Sequence, residues 1–272
     1  MKTLRAIFFI LIAVTPALGQ DGSTPGRHQE AGGLLIRTYP PEAYGGGGQN
    51  WGLLQDRNGL IYVASTNALL EYDGVKWRKI LTPSRQTIRS LAQDASGRIW
   101  VGSVGDLGYL DKTATGQAQF VSLVDKLPPD VRVFEDVWRT FATPEGVYFQ
   151  TQIGLFRWSN DTMKVWKPEG RIFHRAQLAN GTIYIAQGDG AFRMLKGDEL
   201  VPVLGAERMS DEPYPIVVPL DGSHLLMGTR SGGLFIYDGA TLQPWRTDVD
   251  AWMKASNLYR AFWLPGDRLA LG

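Results

Sequence analysis

The sequence predicts an all-β fold, a β-propeller whose blades are four-stranded antiparallel sheets. Three observations predict it: a unit that repeats along the chain, the composition of its turns, and strands that are apolar on both faces. Each unit reads as an apolar run, an Asp/Asn-x-Gly turn, a second apolar run, a Gly turn and an aromatic run. The first turn glycines recur about every 41 residues, the period of a four-stranded blade. They are Gly59, Gly97, Gly146, Gly181, Gly222 and Gly266.

Six copies of the unit predict five complete blades and an incomplete sixth within a propeller domain at 47–272. The sixth copy holds only two strand-length runs, and proteins avoid the unpaired sheet edge that this would leave. We therefore expect the chain to be truncated, either as the N-terminal portion of a longer protein or as a natural short product. The predicted blades cover 47–81, 87–124, 137–168, 173–205 and 214–247, with the partial blade at 258–272.

The middle strands and the turns agree with this architecture. Runs such as LIYVA (60–64) and RIWVG (98–102) are apolar throughout, as expected for a blade packed between two neighbours. The turns at 56–59 and 94–97 resemble the start of a calcium loop but lack the closing glutamate, so hairpin turns are the better interpretation. An insert at 125–136 separates blades two and three, and its prolines and acidic residues predict a surface loop.

The N-terminus predicts export. A short basic region precedes a nine-residue apolar core at 6–14, and small residues follow at the positions that signal peptidase accepts. We interpret residues 1–19 as a cleavable signal peptide, 20–46 as a polar linker, and the location as periplasmic. An uncleaved anchor is the alternative, since a short apolar core can still insert where the bilayer thins.

Composition excludes several classes of function. The formal net charge is +1 and no like-charge block occurs, which argues against nucleic acid as a partner. Cysteine is absent, so thiol catalysis, disulfides and cysteine zinc sites are excluded. The three histidines, His28, His174 and His224, have no metal-binding spacing. We predict no catalytic residue, no metal and no cofactor.

One recurring triplet predicts a binding site. At the start of the first strand, four units show a large residue, then Arg, then a small residue. Because first strands line the channel of a propeller, these arginines should form a partial basic ring at one mouth, next to aromatic residues. Guanidinium groups bind carboxylates and sulfates, and aromatic faces stack on sugars, so a small anionic ligand such as an acidic oligosaccharide is expected. The candidate residues are Arg89, Arg139, Arg175, Arg260, Trp51, Trp138, His174 and Tyr259.

A structural role is the alternative for each of these residues. Every arginine could pair with an acidic or carbonyl group of the adjacent blade and join the blades together. His174 could fill space at the inner end of its blade. The other Trp and Tyr residues recur at matched positions, which favours packing between blades over a ligand platform.

The segments at 44–80 and 88–110 resemble the two-component regulator propeller repeats, which form the periplasmic sensor regions of bacterial hybrid histidine kinases and related receptors. The resemblance implies an extracytoplasmic ligand-sensing propeller, with membrane-anchored output domains outside this chain and a dimer in the whole receptor. The chain itself is then not an enzyme. A propeller lyase acting on a polysaccharide or an antibiotic, with His174 as its base, is the alternative, because streptogramin lyases have similar repeats. A protein-binding scaffold is another.

Overall fold

The computed structural model describes residues 36–170 and 172–272. The predicted signal peptide at 1–19 and the first part of the predicted linker lie outside the described residues. Neither helix of the described part, at Pro41–Tyr44 (α1) and Asp250–Ser256 (α2), is long and apolar enough to cross a membrane.

The described strands form five four-stranded antiparallel sheets and one two-stranded sheet, and in each sheet neighbours in sequence pair with each other. This confirms the predicted class, an all-β propeller of five complete blades and a partial sixth. The strands are β1 (Asn50–Gln55), β2 (Ile61–Ser65), β3 (Ala68–Tyr72), β4 (Trp77–Ile80), β5 (Ile88–Gln93), β6 (Ile99–Ser103), β7 (Leu107–Lys112), β8 (Ala118–Ser122), β9 (Arg139–Thr143), β10 (Gly146–Gln150), β11 (Leu155–Ser159), β12 (Thr162–Trp166), β13 (Phe173–Ala179), β14 (Thr182–Gln187), β15 (Phe192–Lys196), β16 (Glu199–Pro202), β17 (Ile216–Pro219), β18 (Leu225–Thr229), β19 (Gly233–Tyr237), β20 (Leu242–Trp245), β21 (Ala261–Leu264) and β22 (Arg268–Leu271).

The core is divided among the spaces between successive blades. One cluster of buried apolar side chains fills each space, from blades one and two to blades five and six. Between blades two and three, for example, the ring centroids of Trp100 and Phe149 lie 6.1 Å apart. This radial arrangement explains why the middle strands are apolar on both faces, since each face contacts a neighbouring sheet.

The insert between blades two and three lies at the surface, as predicted, but it is more regular than a plain loop. It contains two short 3₁₀ helices, Val124–Lys126 and Pro129–Val131. Leu127, Val131 and Phe134 are buried in the core between those blades. The prolines therefore begin a tight turn, and the apolar residues on either side of them anchor an insert whose remaining residues are mostly exposed.

The glycine in the first turn of each blade has a positive φ angle, with one exception. Gly59 and Gly97 adopt φ angles of 87° and 92°, where a side chain would be strained. Gly222 does not have a positive φ; instead the Asp221 carboxylate accepts hydrogen bonds from the backbone N–H groups of Ser223 and His224, at 2.8 and 2.7 Å. The aspartate carboxylates of these turns accept hydrogen bonds from backbone N–H groups of the same turn, as expected for hairpin turns.

The first strands β1, β5, β9, β13, β17 and β21 enclose a central channel. Residues from all six line a cavity of about 350 Å³, which we call the channel cavity. The repeat pattern predicts this position of the first strands. Because the blades are equivalent, all six first strands begin at the same end of the channel.

Candidate functional site

All eight predicted site residues line one cavity at the end of the channel where the first strands begin. This mouth cavity has a volume of about 150 Å³. Gln152, Phe173 and Tyr214 complete its lining. The structure thus brings the predicted residues together, while binding of a ligand by them stays a prediction.

Strand register explains the convergence. In three blades a β-bulge interrupts the pairing of the first and second strands, at Trp51, at Arg89 and across His174 and Arg175. A bulge redirects the side chain that it contains, here towards the channel mouth. The register makes six positions equivalent, one for each blade. They are Trp51, Arg89, Arg139, Arg175, Pro215 and Arg260; we call the four arginines and Trp51 the collar.

Arg89 has a structural role. Its guanidinium carbon lies 3.8 Å from the ring centroid of Trp51 and 4.8 Å from that of Trp138, and its Nε donates a hydrogen bond to the Asp136 carboxylate. Trp51 belongs to blade one, Arg89 to blade two, and Trp138 directly precedes blade three. Arg89 therefore joins three blades, as the alternative interpretation of the arginines expects.

Arg175 is also held in place, by aromatic rings from two other blades. Its Nη1 donates a hydrogen bond of 2.9 Å to the Tyr259 carbonyl oxygen. Its guanidinium carbon lies 4.1 Å from the Tyr259 ring centroid and 5.0 Å from that of Tyr214. Burial lowers the pKa of Arg175, because the low-dielectric surroundings disfavour its charged form.

Arg139 and Arg260 are different. Within the described part of the chain, neither side chain takes part in a hydrogen bond or an ion pair. Burial, together with the positive charges of Arg175 and Arg260, lowers the pKa of Arg139 to about 9. Its charged form is therefore held at a cost that an anion in the cavity would offset.

The lining is strongly basic. Four arginines face the mouth cavity, and none of the described residues that line it is acidic. Asp136, which pairs with Arg89, is the nearest counter-charge that the contacts identify. An arrangement with one carboxylate for four guanidinium groups favours an anionic ligand.

His174 lines the same cavity and is partly buried. Its backbone carbonyl accepts a hydrogen bond of 2.9 Å from the Gln150 side chain, which fixes the strand at this position. In the described ranges, 36–170 and 172–272, no group of three or more potential metal ligands occurs. His174 thus adds an aromatic and hydrogen-bonding surface to the cavity.

Sequence reasoning missed four residues of this site. Asp136 was counted only among the acidic residues of the insert at 125–136, and Gln152, Phe173 and Tyr214 belong to no repeated triplet. Tyr214 could have been found by its position, because it directly precedes Pro215, the collar-equivalent residue of blade five. Its ring centroid lies 5.4 Å from that of Tyr259.

Comparisons with known proteins agree with this architecture. Residues 83–105 match the family described as Two component regulator propeller. The extracellular domain of the putative hybrid two component system BT3049 from B. thetaiotaomicron is similar in structure, with 15% identity and a TM-score of 0.61. The alignment covers 90% of this chain and 34% of that one, so the chain spans about a third of that protein's length.

Other propellers are also similar. Virginiamycin B lyase from Staphylococcus aureus matches with 11% identity and a TM-score of 0.57, over 82% of this chain and 76% of that one. The WD40 propeller domain of Doa1 matches with 11% identity and a TM-score of 0.55, over 82% and 75% of the two chains. No curated protein matches the chain in sequence.

The fold and these likenesses define a β-propeller. More particularly, the chain carries a two-component regulator propeller repeat, and the resemblance stated from its sequence is confirmed.

Proposed function

We propose that this chain is the extracytoplasmic ligand-sensing propeller of a two-component receptor, and that a small anionic ligand binds in the mouth cavity. The family match at 83–105 supports the receptor class. The ligand class follows from one observation: Arg139 and Arg260 face the cavity without an acceptor among the described residues. Output through domains outside this chain, and a dimer of the whole receptor, are part of the same proposal.

The lining favours an acidic group attached to a flat or ring-shaped body. Guanidinium groups can hold a carboxylate or sulfate through paired hydrogen bonds. The rings of Trp138, Tyr214 and Tyr259 provide faces for stacking at the rim, and Tyr259 is 42% exposed. Acidic oligosaccharides offer both features, which makes them the first ligands to test.

The first experiment compares anions with neutral sugars. Glucuronate, oligouronates and inorganic sulfate should raise the melting temperature (Tm) of the purified chain, while glucose and chloride at equal ionic strength should not. At a concentration of about 100 times Kd the stabilisation is about 2.7 kcal/mol, or roughly 5–10 °C for a chain of this size. Equal effects of sulfate and chloride would contradict a specific site.

We also propose that the chain alone catalyses no reaction. His174 is the one histidine among the described lining residues, and no carboxylate lines the cavity beside it as an acid–base partner. The competing candidate is a lyase, because the similar structures include virginiamycin B lyase. Incubation with virginiamycin B and with polysaccharides, with and without Mg²⁺, should leave both unchanged. Product formation that is lost in His174→Ala would favour the lyase instead.

A further inference from the structure

The channel cavity continues directly from the mouth cavity. Trp51, Arg89, Arg139 and Arg260 line both, so the collar lies at the boundary between them. A ligand group held by the collar therefore has a second space on its other side, of about 350 Å³.

The wall of that second space combines the polar side chains of the collar, Ser90, Thr140 and Gln177 with a ring of mainly apolar side chains. Two residues after each collar-equivalent position, the first strands contribute a further ring of side chains to the channel cavity. Five of the six are apolar. They are Leu53, Leu91, Phe141, Gln177, Val217 and Phe262.

Part of this ring is exposed to water. Leu53 is 76% exposed and Phe262 is 55% exposed, although both lie on strands of the propeller interior. Single exposed apolar side chains are common, but an apolar ring that encloses a cavity is typical of a ligand site. Covering these side chains would be favourable by the hydrophobic effect.

Beyond the collar, the polar side chains of the channel cavity already have hydrogen-bond partners. The Ser90 hydroxyl donates to the Val137 carbonyl oxygen and pairs with the Thr140 hydroxyl, both at 2.8 Å. The Gln177 amide donates to the Pro215 carbonyl oxygen at 3.2 Å. Sugar hydroxyls placed in this space beyond the collar would find few free partners, and burying them without hydrogen bonds is costly. A hydrocarbon chain has no such cost.

We propose that the ligand is an amphipathic anion, whose acidic head contacts the collar while its hydrocarbon chain lies in the channel cavity. The inference rests on the proposed function of the mouth cavity and narrows its ligand class. Arg139 and Arg260 hold the head group. The ring from Leu53 to Phe262 surrounds the chain, so affinity depends on chain length as well as on charge.

The test is calorimetric titration with linear carboxylates from butanoate to decanoate, each below its micellar concentration. The affinity should rise about three- to fourfold for each added methylene, the fold-change that corresponds to about 0.8 kcal/mol for a buried CH₂. In Leu53→Ser combined with Phe262→Ser, this dependence should weaken while butanoate binding stays unchanged. Both side chains are largely exposed, so the variant should fold, which circular dichroism can verify.

Leu204→Ser is the matched control, because Leu204 is 71% exposed and lies outside both cavities. It should retain the full dependence on chain length. An alkyl trimethylammonium ion of the decanoate length should not bind; equal binding of this cation would indicate detergent-like adsorption and overturn the proposal.

The outcomes separate the two proposals. If glucuronate and all carboxylates bind with an affinity that does not change with chain length, the amphipathic ligand is wrong and the anion-binding mouth stands. If no anion binds at any length, the mouth cavity is not an anion site and both proposals fail. Chain-length dependence that persists in the Leu53→Ser, Phe262→Ser variant places the hydrocarbon elsewhere and overturns the channel assignment.

Discussion

Replacing Arg89 with methionine should lower the Tm of the protein by roughly 5–10 °C, which corresponds to a loss of about 2–4 kcal/mol. The guanidinium lies between Trp51 and Trp138 and pairs with Asp136, and the side chains of Arg89 and Asp136 are 15% and 16% exposed. Methionine keeps much of the side-chain volume but leaves the carboxylate without its partner in a poorly solvated place.

The control for this variant is an ion pair at the surface. Lys167 and Asp130 also pair between distant parts of the chain, but their side chains are 59% and 61% exposed. Lys167→Met should change stability by less than about 1 kcal/mol. Thermal unfolding followed by circular dichroism measures both. A Tm for Arg89→Met equal to that of Lys167→Met would show that the Arg89 contacts do not join the blades.

Replacing Arg139 and Arg260 together with methionine should reduce affinity for glucuronate or sulfate by roughly 100-fold, since each charge-assisted hydrogen bond contributes about 1.5 kcal/mol or more. The Tm should be unchanged or higher. Neither side chain has a partner among the described residues whose loss would destabilise the fold. The lowered pKa of Arg139, about 9, gives the direction of the stability change. Below that pH the guanidinium is charged in both states, and its charge is less favourable in the folded than in the unfolded protein. Removing the charge should therefore stabilise the fold.

The matched control changes the same net charge elsewhere. Arg85 and Arg246 lie outside the mouth and channel cavities, and Arg85→Met combined with Arg246→Met removes two positive charges. This variant should bind anions as the wild type does. If both double variants weaken binding equally, the attraction comes from overall charge and not from the collar.

The sequence alone predicted the blades and those site residues that recur at equivalent positions of the repeat. Arg139 and Arg175 belong to a triplet that recurs in equivalent blades, and equivalent residues converge on the axis in a radial fold. Asp136 could not be predicted in this way, because it is the last residue of an insert that no other blade shares and it contacts Arg89 from 47 residues away. Its role depends on tertiary packing of that insert.

The helix α2 was missed for a different reason. It lies between two repeats, where the periodic pattern gives no information. The sequence nevertheless places Thr247 three residues before Asp250. In the structure the Asp250 carboxylate accepts hydrogen bonds from the backbone N–H and the hydroxyl of Thr247, at 2.9 and 2.7 Å. The Thr-x-x-Asp spacing resembles a capping box and could have indicated a helix near this position, although the helix itself begins at Asp250 with Val249 as its N-cap.

The bulges at Trp51, Arg89 and His174–Arg175 also bear on how such a site changes during evolution. Each bulged residue is released from strand pairing, so the sheet places little demand on its identity. The same backbone position holds tryptophan in blade one, arginine in blade two and proline in blade five. Where the side chain does not join the blades as Arg89 does, selection can thus exchange one contact of the mouth at a time and retune ligand preference, while the hydrogen-bonded sheets around it stay intact.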